Sequence, residues 1–187
     1  MTMSSYEVVR RAIEFQYPDR LPLRFDSLGL SDIHNVGWNQ TGTGDKHYRE
    51  TLDEWVACGY AGIFDAMHAA GWHVWMHSCG RMNNLIGPLI DFGVNVMNLQ
   101  QPRALGIEAA YRGHICFESL CDIQHTLPYK DAGDIRAEAE LLLQQWANSA
   151  GGFILSDYGV GHAIGVPIEK KQIMLQAFLQ ADSWHRN

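Results

Sequence analysis

The chain has 187 residues, 47% hydrophobic and 19% charged, the balance of one globular domain with room for a core. A formal charge of −7, with the basic residues scattered along the chain, argues against a phosphate-backbone partner, so no nucleic acid is expected. No stretch approaches the roughly eighteen apolar residues of a membrane span, and the amphipathic, charged opening MTMSSYEVVRRAIE does not read as a signal peptide, so we expect a cytoplasmic protein.

Ser4 and Glu7 form an S-x-x-E capping pattern, and Tyr6, Val8, Val9, Ala12 and Ile13 make a helical stripe. Pro18 stops that helix, and RLPLRFDS reads as a strand near 21–26, completing an N-terminal helix and strand over 4–27. Residues 28–47 are rich in Gly, Asn, Thr and Asp without a period and read as a long loop. From residue 60 to 182 the pattern turns regular, with helices and strands in alternation. GIFDAMHAAG, MNNLIGPLIDFG, RALGIEAAYRG, GDIRAEAELLLQQWANSAGG and PIEKKQIMLQAFLQA predict helices, and strands are predicted near 72–77, 94–99, 114–118 and 152–156. Glycines 93, 113 and 151 stand where helices should end, and Pro167 stands at a first-turn position. Such alternation predicts βαβ units and one mainly parallel sheet in a single domain.

In parallel α/β folds chemistry collects at the carboxyl ends of the strands. Those tips are His77-Ser78-Cys79, Asn98 to Gln101, Glu118 to Gln124, and Ser156-Asp157-Tyr158, each polar although its strand is apolar. His77 and Cys79, two apart in an extended strand, share a face, and Gly80 lets the chain bend away after them. Neutral imidazole and thiolate are natural zinc ligands, but a catalytic zinc takes three protein ligands. The alternative is a thiol packed beside a hydrogen-bonded histidine. Asp157 ends the last predicted strand and is the best-placed oxygen ligand, with Cys121 a further thiol after a strand tip. Glu118 and Asp122 are placed to act as acid or base, although a tip carboxylate often caps the next helix. Cys58, Cys116, His68 and His73 read as structural. Four cysteines without small-domain spacing suit reduced thiols or metal ligands more than disulfides.

The segment FDAMHAAGWHVWMHSCGRMNNLIGPLIDFGVNVMNLQQP resembles the C-terminal half of the uroporphyrinogen decarboxylase-like superfamily, and most closely its zinc-dependent, corrinoid-linked methyltransferases. DIQHTLPYKDAGDIRAEAE, GGFILSDYG and GVPIEKKQIMLQAF continue the likeness to the end, and VVRRAIEFQYPDRLPL with LDEW resembles the superfamily's opening. The resemblance implies a (β/α)8 barrel, which ordinarily takes about 250 residues. Here LDEWVACGY runs almost directly into AGIFDAMHAAG, so several middle strands are missing and an incomplete barrel is expected. The likeness implies zinc held by His77, Cys79 and, in place of the family's third cysteine, Asp157. It further implies a thiol substrate and a corrinoid methyl donor, free or carried by a partner protein, with Gln100, Gln124 and Tyr158 as cofactor contacts. Tetrapyrrole decarboxylation without a metal is the alternative. The arginine-rich opening of the decarboxylases is not visible, and Arg20 and Arg24 are weak substitutes for it. A third reading is an inactive barrel remnant serving binding or assembly. An open barrel exposes sheet edges and an apolar interior, so a homo-oligomer is expected.

Overall fold

The computed structural model describes residues 2–33, 60–105, 111–159 and 161–185. Helix α1 (Ser5–Ile13) starts where the sequence places it, with Ser4 Oγ accepting the Glu7 N–H at 3.3 Å. The capping box is half made: the Glu7 carboxylate turns outward to Arg10 and Arg11, at 3.0 and 2.6 Å. Strand β1 (Leu23–Phe25) follows, then a 3-10 turn and a two-residue strand β2 (Leu30–Ser31) antiparallel to it. The expected loop therefore opens with a hairpin. Arg20 pins that hairpin by a two-pronged ion pair to Asp32, both bonds 2.6 Å, and Asp32 also accepts the Leu23 N–H. The rest of that loop, like Cys58 and LDEW, lies outside the described residues.

The remaining elements alternate as the sequence implies. They are α2 (Tyr60–Ala69), β3 (Trp75–Ser78), α3 (Asn83–Asp91), β4 (Val96–Leu99), α4 (Pro102–Leu105), β5 (Cys116–Ser119), α5 (Thr126–Tyr129), α6 (Ala132–Trp146), β6 (Phe153–Ser156) and α7 (Ile168–His185). Each strand is shorter than its predicted span and ends within a residue of it, because the polar tips sit at the carboxyl ends. Of the helix expected over 103–113, Pro102–Leu105 is helical and Tyr111 belongs to a turn, and 106–110 lie outside the described residues.

One six-stranded sheet results, in the order β2-β1-β6-β5-β4-β3, parallel except for the β1–β2 pair. The first long strand thus lies beside the last. Among the described residues the sheet does not close: β2 and β3 are its edges. No helix among the described residues is long and apolar enough to cross a membrane.

Strand alternation divides the sheet into two faces. One face carries Phe25, Met97, Leu99, Phe117, Phe153 and Leu155, all buried in the main core beneath the helices. Trp146 of α6 stacks on Phe117 at 4.4 Å and Phe178 of α7 on Phe153 at 5.6 Å, each such buried ring contributing about 1.5–3 kcal/mol of transfer free energy. The opposite face is layered along the strands. Its lower layer is apolar: Val96, Cys116 and Ile154 pack with Trp75 under Ile13 and Val9 of α1. Two residues further along each strand the same face becomes polar, with His77, Asn98, Glu118 and Ser156, joined by Arg24 from β1. Helix α1 closes the lower end by a close approach: Gly152 N–H donates to the Ala12 carbonyl at 2.9 Å. Gly151 there has φ +139°, and a Cβ on it would lie 2.7 Å from the Ala12 oxygen, so glycine is required.

Candidate functional site

The polar layer lines a cleft of about 500 Å³, bounded by Arg24, Trp75, His77, Asn98, Gln100 and Glu118, with 157–159 on the far wall. Of the residues singled out from sequence, His77, Glu118, Gln100, Asp157 and Tyr158 meet there. Register explains the convergence. His77, Asn98 and Glu118 are direct neighbours across β3, β4 and β5, so one row of the sheet delivers three side chains to one face.

The row is wired together. His77 Nδ1 lies 2.5 Å from Asn98 Oδ1, and Asn98 stands beside Glu118 in the cross-strand register. Glu118, 1% exposed, accepts from Arg24 Nη1 at 2.9 Å and from Trp75 Nε1 at 2.7 Å. Burial pushes the Glu118 carboxyl above its ordinary range, against the opposing pull of the Arg24 charge and of the Trp75 hydrogen bond. The other ring nitrogen of His77 faces Cys79, Nε2 to Sγ 3.5 Å. Both His77 and Cys79 are exposed, and of the two only His77 lines the cleft. Gly80, φ +83°, turns the chain away as expected, and its N–H donates to Gln101 Oε1 at 2.8 Å.

The other expected site residues go elsewhere. Asp157 shares the cleft, but its Oδ1 forms an ion-pair contact of 2.9 Å with Lys171 Nζ, and Oδ2 accepts the Ser27 N–H. Asp122 is buried and accepts the N–H groups of Gln124, His125 and Arg103, which makes it the organiser of the turn into α5. Gln124 is exposed and does not line the cleft. Cys121 is fully buried, its thiol donating to the Ile135 carbonyl, and burial raises its pKa; Cys116 is buried and raised for the same reason. His68 holds Asn95 at 2.9 Å and His73 faces Glu14 at 3.4 Å, both structural contacts. Sequence reasoning passed over Trp75 and gave Asn98 no role. Counting back by twos from Cys79 reaches Trp75, whereas Asn98 is brought to the site by cross-strand register, which the sequence does not state.

The donor chemistry at the β3 tip suits zinc in part. Tetrahedral ligands at about 2.0–2.1 Å (nitrogen) and 2.3 Å (sulfur) stand roughly 3.5 Å apart, which is the separation of His77 Nε2 and Cys79 Sγ. Among the described residues no group of three His, Cys, Asp or Glu side chains is arranged to hold a metal. The fit therefore covers two ligands. No protein-family model and no curated protein matches the chain.

Proposed function

We propose that the chain is a uroporphyrinogen decarboxylase-like protein, an incomplete (β/α)8 barrel, that moves a methyl group from a corrinoid to a thiol held at zinc. The observation that carries this reading is the His77–Cys79 pair, 3.5 Å apart at the carboxyl end of a parallel strand, with His77 lining a polar cleft. The fold supports it: β3 to β6 lie in consecutive order and β6 pairs in parallel with β1, the neighbour relation of a barrel's last and first strands. His77 and Cys79 would hold the ion, and Asp157 stands in the same cleft, tied to Lys171. Zinc, when bound, supplies the charge that keeps a substrate thiol ionised at neutral pH. Gln100 and Tyr158 line the cleft where the methyl donor would enter. Trp75 walls it off at the sheet edge.

One observation favours the decarboxylase alternative. Glu118 is a buried tip carboxyl with a raised pKa in the same cleft, able to stand beside a protonated pyrrole as carbon dioxide leaves. Incubation of the protein with zinc, methylcobalamin and small alkyl thiols tests the two. Loss of the cobalt–carbon bond with stoichiometric thioether, abolished in His77→Ala and Cys79→Ser, is expected. Decarboxylation of a tetrapyrrole by both variants at the wild-type rate would overturn the proposal, and corrinoid binding without turnover would leave only the binding role.

A further inference from the structure

We propose that Asn98 is a positioning residue that holds His77 as its Nδ1–H tautomer, leaving the Nε2 lone pair turned toward Cys79. A neutral amide has one donor end and one acceptor end, and its oxygen can only accept. Asn98 turns that oxygen to His77. That Oδ1 lies 2.5 Å from His77 Nδ1, so Nδ1 carries the hydrogen. Nε2 is then left as an acceptor, 3.5 Å from the Cys79 sulfur.

Burial makes the chain rigid. Glu118 is 1% and Asn98 8% exposed, and both grow from adjacent, registered strands. Asn98, buried and held between two paired strands, has little freedom to turn over. His77, at the exposed end, takes its orientation from the strand beside it. Outer partners of this kind orient metal-ligating histidines. The zinc reading of the β3 tip is where the inference has its use, but the tautomer is a property of the metal-free chain.

The test is long-range proton–nitrogen correlation on the 15N-labelled, metal-free full chain, above the titration of the ring, with His77→Ala to identify the signal. The expected result is Nδ1–H in the wild type, and a shift to the Nε2–H form preferred by free histidine in Asn98→Leu. Asn98→Asp, which keeps only acceptors beside the ring, should retain Nδ1–H. A wild-type ring in the Nε2–H form overturns the proposal even if Asn98→Leu does not fold, as does an Nδ1–H ring unchanged in a folded Asn98→Leu. Zinc titration separates the two claims. A fall in affinity of about 10–100-fold in Asn98→Leu is expected where zinc binds. Nδ1–H in a wild type that takes up no zinc would support the positioning role and count against the metal reading alone.

Discussion

Replacing Arg24 by Met keeps much of the side chain's bulk and removes the charge facing Glu118. Breaking a fully buried ion pair from one side costs about 3–5 kcal/mol, because the other charge stays buried. Arg24 is 27% exposed and Glu118 1%, and Trp75 would still donate to the carboxylate. The loss should therefore be smaller, about 2–3 kcal/mol at pH 7. Its pH dependence has a definite sign. Burial holds the Glu118 carboxyl above its ordinary 4.5, so between that value and its raised one the folded chain keeps a proton the unfolded chain has lost. The group's stabilisation is full below about pH 4.5 and falls as pH rises through the raised value. Removing Arg24 raises that value further, so Arg24→Met should lose most at pH 7 and progressively less toward pH 5. Adding Glu118→Gln should recover much of the loss. Urea unfolding at both pH values measures all of this. A loss below about 0.5 kcal/mol at pH 7, or one that grows in acid, would refute the account of a buried carboxylate dependent on Arg24.

Lys171→Met should destabilise the fold by about 3–5 kcal/mol in urea, since it strands Asp157 in a pair whose side chains are 6% and 2% exposed; a loss under about 1 kcal/mol would contradict that burial. Gly151→Ala should cost at least about 1 kcal/mol, through its φ of +139° and the approach to the Ala12 carbonyl. Gly159→Ala, which meets nothing within 4 Å, should unfold within about 0.5 kcal/mol of wild type. Light scattering should find a homodimer or larger assembly, because among the described residues β3 is a parallel edge strand and Ile63 and Trp72 are 52% and 66% exposed. A stable monomer at micromolar concentration would count against that.

The periodicities carried most of the fold. Apolar runs of strand length, each followed by a helical stripe, placed five strands and their parallel sense, because a parallel sheet covered on one face by helices writes both patterns into the sequence. Strand β2 went unseen: two residues have no period, and the hairpin rests on the Arg20–Asp32 pair, which no local pattern announces. The site divided along the same line. His77 and Cys79 were legible because their spacing belongs to a single strand. The fate of Asp157 was not, since Lys171 reaches it from α7. Asp122 looked like an acid and serves as a turn organiser, because a carboxylate at a strand tip is equally suited to backbone N–H groups. Asn98 and Trp75 matter through cross-strand register, which a single sequence does not state.

The central claim is that His77 and Cys79 bind zinc, and the 3.5 Å between their donor atoms would equally suit an S–H···N hydrogen bond in a metal-free protein. Metal content of the purified full chain after zinc supplementation and desalting separates these most directly. The account predicts zinc retained in proportion to protein in the wild type and lost in both His77→Ala and Cys79→Ser. A wild-type protein without zinc, or variants that retain it undiminished, would contradict the claim.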